Sequence, residues 1–303
     1  MKILMSNVNL NSSTGPNHFA KKLKKYVAKN GYVCDTGVKN ADAELCFIER
    51  HTGYKHIPLI QRLDGIYFDS TRKYQSLNAG IINTYQNADA VIFQSEFSQQ
   101  MAYKYFGEHK RSKIIHNGAD LKVINEIPAI EDKLLDKFEN VWCSASSWRG
   151  WKRLKENIRY FLEFSNSKDC LLIAGIPSSR QEIINHERVI YLGHVDPSVL
   201  LSIYKRSKYF IHLARYDACP NVVVEARASG CEIICTSMGG TKEVAGPNAK
   251  IILEDDWDMN PLDVNSPPDL DFSRTTKNTI NSNIDMDYVA AEYLKFILST
   301  RKE

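Results

Sequence analysis

The stretch Ala214-Arg-Tyr-Asp217-Ala-Cys-Pro220-Asn-Val-Val-Val-Glu225-Ala-Arg-Ala-Ser-Gly230-Cys-Glu-Ile-Ile-Cys235-Thr-Ser-Met-Gly239-Gly240-Thr-Lys-Glu-Val-Ala245 decides how this chain folds. The apolar run before it, Tyr209 to Leu213, is short and bounded, as a buried strand is. A loop bearing Asp217 follows. Pro220 suits the first turn of a helix, where its missing N–H has no partner to lose. Gly230 suits the residue just past the helix end, so a helix is expected from Pro220-Asn221 to Gly230. A second buried strand, Glu232 to Cys235, leads into Gly239-Gly240, where backbone amides can approach a ligand with no β-carbon in the way.

Asp217 and Glu225 are seven residues apart in the intervening chain, so one carboxylate precedes the helix and the other lies in its second turn. A diphosphate at the helix start would meet the amides of Asn221 and Val222 and the positive end of the helix dipole. The two carboxylates could accept hydrogen bonds from sugar or ribose hydroxyls. That combination fits a nucleotide sugar. A surface acid, a core-facing helix and an ordinary glycine turn fit the same spacing.

The segment resembles the acid-x7-acid segment of retaining glycosyltransferases of family 4, whose fold is GT-B. Many members carry Glu at the first acidic position, then Gly-Phe-Pro-Asn, a Val-Val-Leu-Glu-Ala-like helix, a glycine and a Gly-Gly-x-x-Glu turn. This chain keeps Pro220-Asn221, Glu225-Ala226, Gly230 and Gly239-Gly240-Thr241-Lys242-Glu243, with Asp217 for the first Glu and Ala218-Cys219 for Gly-Phe. Ala88 to Phe97 resembles the family's strand-to-helix segment. Ile114-Ile115-His116-Asn117-Gly118-Ala119-Asp120 resembles the segment that leads from its first domain into its second.

At 303 residues the chain accommodates two domains of ordinary size. Its 39 Lys and Arg nearly balance its 36 Asp and Glu, so no global field argues for nucleic acid. Seven cysteines form no C-x-x-C pair and fall mostly in expected buried strands, which fits free thiols in a reducing compartment. The apolar start Ile3 to Met5 is too short for a signal peptide core and reads as a first strand. No stretch approaches the roughly 18 apolar residues of a membrane span. The expected location is cytoplasmic, with peripheral membrane contact as an added option.

A polar loop is expected from Ser6 to Asn17, ending in Thr14-Gly15-Pro16-Asn17 before a helix from about His18 to Asn30. A loop after a first parallel strand opens on the ligand side of doubly wound folds, and the resemblance implies that Gly15 faces donor phosphates there. The helix carries Lys21, Lys22, Lys24, Lys25 and Lys29 on one broad side. That face can dock on a membrane or stand in solvent over a core stripe. Short apolar runs at Leu45 to Ile48, Ile57 to Ile60, Ala90 to Phe93 and Lys113 to Ile115 alternate with helical patterns at Ser76 to Gln86 and Ser95 to Phe106. Such alternation indicates a parallel sheet. No G-x-G-x-x-G follows a strand, which argues against a nicotinamide or flavin dehydrogenase. Asp64, in Arg62-Leu63-Asp64-Gly65, stands where the resemblance implies a His or Asp beside the donor sugar; a helix cap or a turn acid fits it equally, since Asp-Gly is a turn signal.

The second domain opens with the strand Val141 to Ser144 and continues through Arg149 and Lys152 into a helix ending near Phe164. The resemblance implies an Arg at the strand end and a Lys soon after, both neutralising the donor diphosphate. Lys152 matches the Lys, Ser146 or Ser147 stands at the Arg position, and Arg149 is the candidate for the missing charge. Further strands end at Gly175 and at Gly193, and the resemblance implies that the nucleotide base lies against Gly175, His194 and Val195. After Gly246-Pro247, the chain to Asn283 reads as irregular surface. Three D-x-D triplets, Asp256/Asp258, Asp269/Asp271 and Asp285/Asp287, fall in or beside acidic loops; paired acids can bind a divalent ion, but no metal or other cofactor is expected to be required. The resemblance also implies that a last helix crosses back to the first domain.

These readings converge on an α/β chain of GT-B type: two Rossmann-like doubly wound parallel-sheet domains facing a cleft, residues 1–120 on the acceptor side and 121–287 on the nucleotide-sugar side, with helix 288–303 returning to the first. The implied activity is transfer of a hexose, with retention, from a nucleotide sugar to a glycan, lipid-linked or protein-linked acceptor hydroxyl. The donor expected from family base rates is GDP-mannose, or else a UDP-sugar. In this reading Asp217, Lys152 and Asp64 are catalytic. Glu225, Arg149, Gly15, Gly175, His194, Val195, Pro220, Asn221, Val222, Gly239 and Gly240 bind the donor. A nucleotide-sugar-binding protein without turnover, or an epimerase of the same fold, are the alternatives.

Overall fold

The computed structural model describes residues 1–12, 14–51 and 56–300. The chain divides into two compact units, one of Met1–Asp120, Trp257–Leu262 and Asn283–Glu303, the other of Leu121–Asp256 and Asp263–Ser282. Two pieces of the span 121–287 therefore go with the first unit. The reason lies in their contacts: Trp257 packs on Phe68 at 5.2 Å between ring centroids, Leu262 bridges to Asp69, and Ala119 and Ile284 share a 2.7 Å backbone bond.

In the first unit, β1 (Lys2–Ser6), β2 (Val33–Asp35), β3 (Ala43–Phe47), β4 (Leu59–Leu63), β5 (Ala90–Phe93) and β6 (Ser112–Ile114) form one sheet. Its order is β2-β1-β3-β4-β5-β6, and every pairing is parallel. The helices are α1 (Gly15–Lys29), α2 (Tyr74–Asn87) and α3 (Glu96–Phe106). Ser95 caps α3, its Oγ accepting from the Ser98 amide at 3.1 Å, as its residue type favours. Helix α1 starts three residues earlier than the sequence suggests, because Thr14 is already extended as the cap and its carbonyl accepts from the His18 amide at 2.8 Å. Gly15 thus belongs to the first helical turn, with Pro16 beside it, rather than to a loop.

The second unit begins with α4 (Leu121–Glu126) and continues with β7 (Val141–Ala145), α5 (Leu154–Phe164), β8 (Cys170–Ala174), β9 (Val189–Gly193), α6 (Pro197–Arg206), β10 (Tyr209–His212), α7 (Asn221–Ala228), β11 (Glu232–Thr236), α8 (Thr241–Val244), β12 (Lys250–Ile252) and β13 (Thr275–Lys277). The sheet order is β13-β12-β11-β10-β7-β8-β9. Only the edge strand β13 runs antiparallel; it rises from the segment the sequence left irregular, where Leu270 and Phe272 are also buried in the core. The parallel strands start at β7, run outward through β8 and β9, then return to its other side with β10, β11 and β12. That is the classical doubly wound order, whose ligand crevice opens past the carboxyl ends of the two strands flanking the reversal, here β7 and β10.

The closing helix α9 (Met286–Ser299) buries Met286, Val289, Ala290, Tyr293, Leu294, Phe296 and Ile297 in the core of the first unit with Phe19, Leu23 and Tyr26 of α1. Among the described residues no helix is long and apolar enough to cross a membrane. All seven cysteines are buried free thiols.

Candidate functional site

The loops after β7 and β10 bring Lys152 and Asp217 together. Lys152 ends a 3₁₀ turn over Gly150–Lys152, and its Nζ donates to Asp217 Oδ1. Asp217 Oδ2 lies 2.6 Å from His212 Nε2. A carboxylate only accepts, so Nε2 carries the proton and donates. His212 is 2% exposed at the end of β10 and Asp217 is 15% exposed. Burial alone would raise the Asp217 carboxyl, but the Lys152 charge and the His212 hydrogen bond override it and hold the group well below the usual carboxylate range. Burial likewise lowers His212 below the ordinary imidazole value, against the pull of Asp217. The site at neutral pH is therefore an ammonium, a carboxylate and a neutral imidazole in series.

Backbone bonds lock the two loops. The Arg215 amide donates to the Trp151 carbonyl at 3.0 Å and the Gly240 amide to the Asp217 carbonyl at 2.8 Å. Asn157, on the apolar face of α5, donates from Nδ2 to the carbonyls of Arg153 at 2.6 Å and Lys152 at 3.1 Å and accepts from the Leu213 amide at 3.2 Å. One buried amide side chain thus ties the Lys152 turn to the end of β10, as buried polar groups require partners. Its signal in the sequence was a polar residue in the stripe Leu154, Asn157, Ile158, Phe161. Arg153 is also buried, in a left-handed conformation with φ 53°, and donates to Glu254 Oε2 at 2.8 Å.

A cavity of about 510 Å³ is lined by the loops after β7, β8 and β9 and by the start of α7; Lys152 and Asp217 are not among its walls, but Arg149 is, and its carbonyl accepts from the Lys152 amide at 2.8 Å. Among its walls are Trp148, Arg149, Gly175, His194, Val195 and Val222. Trp148 Nε1 donates to the Ala174 carbonyl at 3.0 Å, which sets the indole under Gly175. Gly175 has φ 99°, and a β-carbon there would stand 1.9 Å from the Ser146 carbonyl oxygen. Arg149 is exposed and lies over the Trp151 ring, 5.3 Å from its centroid. Pro220 is the extended residue before α7, Asn221 opens the helix, and Glu225 is half-buried in its second turn. Gly239 and Gly240 form the buried turn after β11.

Gly15 and Asp64 belong to the first unit, and the residues just described to the second. Strand β4 runs to Leu63, so Arg62 lies inside it and Asp64 just beyond. Arg62 is 1% exposed. It donates to Asp64, to Tyr293 Oη at 3.0 Å and to Asn117 Oδ1 at 2.8 Å, and its guanidinium stacks over Phe19 at 4.2 Å. Arg62 is thus the organising residue that the sequence reading passed over. The lysine face of α1 is also less open than expected. Lys22 donates to the Gly118 carbonyl, and Lys24, Lys25 and Lys29 pair with Asp35, Asp120 and Asp287. One acid of each D-x-D triplet serves a local turn or cap: Asp258 accepts from the Asn260 amide, Asp271 from that of Ser273, and Asp285 from that of Asp287.

Residues 129–260 match the family model of glycosyl transferases group 1. An uncharacterized glycosyltransferase of Methanocaldococcus jannaschii is 21% identical over 210 residues, 62% of this chain and 52% of that protein. The chain thus spans about half the length of that curated relative. Among solved structures, Anabaena HepE in complex with UDP and glucose superposes with a TM-score of 0.68 at 16% identity, over 99% of this chain and all of HepE. A glycosyltransferase from Rickettsia africae gives 0.68 at 13% identity over 99% of this chain and 98% of its own. These likenesses show the fold, two parallel-sheet α/β domains of GT-B type. Residues 129–260, the part of the chain that matches the group 1 family model, hold the Lys152–Asp217 pair and the residues that line the cavity.

Proposed function

We propose that the chain is a retaining hexosyltransferase that moves a hexose from a nucleoside-diphosphate sugar to an acceptor hydroxyl. The observation that carries this reading is the Lys152–Asp217 pair at the strand-order reversal of the second unit, where the loop after β7 that bears Lys152 also lines a cavity within the usual size of small-ligand sites. In this reading the leaving group is a nucleoside diphosphate, and Lys152 stabilises the charge that develops on it as the glycosidic bond breaks. Amides at the start of α7 and at Gly239-Gly240 add hydrogen bonds to the phosphates, and Arg149 adds a second positive charge. Asp217, already ionised, accepts from hydroxyls of the sugar, and Glu225 accepts from those of the ribose. The base occupies the cavity against Gly175, His194 and Val195.

Anabaena HepE has been solved with UDP-glucose and with UDP and glucose, which supports a UDP-sugar as the first donor to try, ahead of the GDP-mannose suggested by family base rates. The test is incubation with UDP-glucose and GDP-mannose, with glycan and lipid-linked acceptors. Released nucleoside diphosphate together with a product of the donor's own anomeric configuration supports the proposal. Binding without release, or an altered sugar with nothing transferred, overturns it in favour of a carrier or an epimerase.

A further inference from the structure

His212 has no role in any motif of the sequence, yet it is buried within the site. It ends the central strand β10, between β7 and β11, in register with Cys235. Its ring lies nearly parallel to that of Phe210, at 12° between planes and 6.3 Å between centroids. An apolar side chain would suit such a place better, because a buried imidazole costs free energy unless its nitrogens are bonded. The partner it has is Asp217 Oδ2, at 2.6 Å.

The geometry of the acid explains what the imidazole adds. A carboxylate held through one oxygen can still turn about its last torsion, which is broad and roughly two-fold. Lys152 holds Oδ1 and His212 holds Oδ2, so that turn is blocked. The same bond localises the Lys152 ammonium, whose long side chain would otherwise sample many rotamers. Both charges keep lone pairs or N–H groups for a ligand: each carboxylate oxygen can accept more than once, and the ammonium has three donors.

We propose that His212 is a positioning residue of the donor site: it fixes the plane of the Asp217 carboxylate and, through it, the ammonium of Lys152, so that acid and cation meet sugar hydroxyls and diphosphate without reorganising. This rests on the reading of Asp217 and Lys152 as donor-binding groups. The arrangement also suits the short Asp217 side chain, which is braced from behind by an imidazole on the strand.

The test compares the full chain with His212→Gln, which keeps an N–H donor at a similar reach, and His212→Leu, which does not. His212→Leu is expected to lose turnover of UDP-glucose or GDP-mannose on the order of 10- to 100-fold, with the affinity for UDP, measured by calorimetry, changed less than about threefold. His212→Gln is expected to recover most of the lost turnover. A His212→Leu protein as active as the unaltered chain, or a His212→Gln protein as poor as His212→Leu, overturns the inference. A second readout needs neither turnover nor a variant: long-range nitrogen NMR of the unaltered chain should show Nε2 of His212 protonated at pH 7, as the 2.6 Å contact with Asp217 requires. The Nδ1–H tautomer, which leaves Nε2 without a proton to donate to Asp217, would overturn the inference even if every donor is inert. In that last case the proposed activity fails by itself, while the tautomer still decides whether His212 braces Asp217.

Discussion

Gly239 lies so close to the Asp217 loop that a β-carbon on it would stand 2.9 Å from the carbonyl oxygens of both Arg215 and Asp217. Its φ of 76° is also one that side-chain-bearing residues rarely adopt. Gly239→Ala therefore must push the acid loop outward. Turnover is expected to fall about 100-fold, with a stability loss of about 1–3 kcal/mol. Steady-state kinetics and urea unfolding of the same preparation check both.

Removing the cation has a different signature. Lys152→Ala leaves the Asp217 carboxylate with His212 as its remaining strong donor and takes away the charge that would face the diphosphate. The expected loss in kcat is about 10²- to 10³-fold, the range for deleting one electrostatic donor to a developing charge. If Lys152→Ala turns over donor as the unaltered chain does, Lys152 is not the diphosphate cation.

His212 and Asp217 give the site a pH profile. An unfolded histidine takes up a proton below about pH 6.5, whereas His212 is lowered in the fold, by burial first and despite Asp217. The unfolded state then binds more protons, and stability falls as pH drops below that value. Asp217 is lowered too, because Lys152 and His212 override its burial. Its contribution is full above about pH 4, the unfolded carboxylate value, and is lost as pH falls from there toward the folded one. In His212→Gln the first decline should shrink. Unfolding free energies of the two proteins between pH 7 and 4 are the measurement, and parallel curves would contradict the assignment.

Gly175→Ala tests the cavity. The added carbon would meet the Ser146 carbonyl at 1.9 Å and Trp148 Nε1 at 3.2 Å, so the loop after β8 must move into the space proposed for the base. Affinity for UDP or GDP is expected to fall at least about tenfold, equivalent to 1.4 kcal/mol, as read by calorimetry.

In the first unit, Arg62→Met removes a buried cation and leaves Asp64 and Asn117 without its hydrogen bonds. Breaking a buried ion pair in this way costs about 3–5 kcal/mol. Chemical unfolding of the variant, followed by Trp257, which packs on Phe68 in this unit, should show that loss.

Much of this fold was legible in the amino-acid order, because its strongest signals are local. Apolar runs bounded by Gly and Pro placed the strands, Ser95 and Gly230 marked helix ends, and the alternation of the two patterns required parallel sheets. The span from Asp217 to Gly240 announced a strand, an acid loop, a helix and a glycine turn, and these elements are present where the spacing put them. The loop containing Gly15 was misjudged, since Gly-Pro signals both a turn and a first helical turn, and only the Thr14 cap decides between them.

What the tertiary structure alone decided are the partnerships between residues distant in sequence. Lys152 and Asp217 meet because β7 and β10 are neighbours across the strand-order reversal, a fact of topology that no spacing encodes. His212, Asn157 and Arg62 look like ordinary strand and helix residues until burial forces each to find polar partners: Asp217 for the first, the Lys152 turn for the second, Asp64 and Asn117 for the third. The lysines of α1 likewise look like a free basic face until Asp35, Asp120 and Asp287 arrive beside them. Local propensity specifies elements; which buried polar group answers which is settled only when the sheet brings them within hydrogen-bond reach.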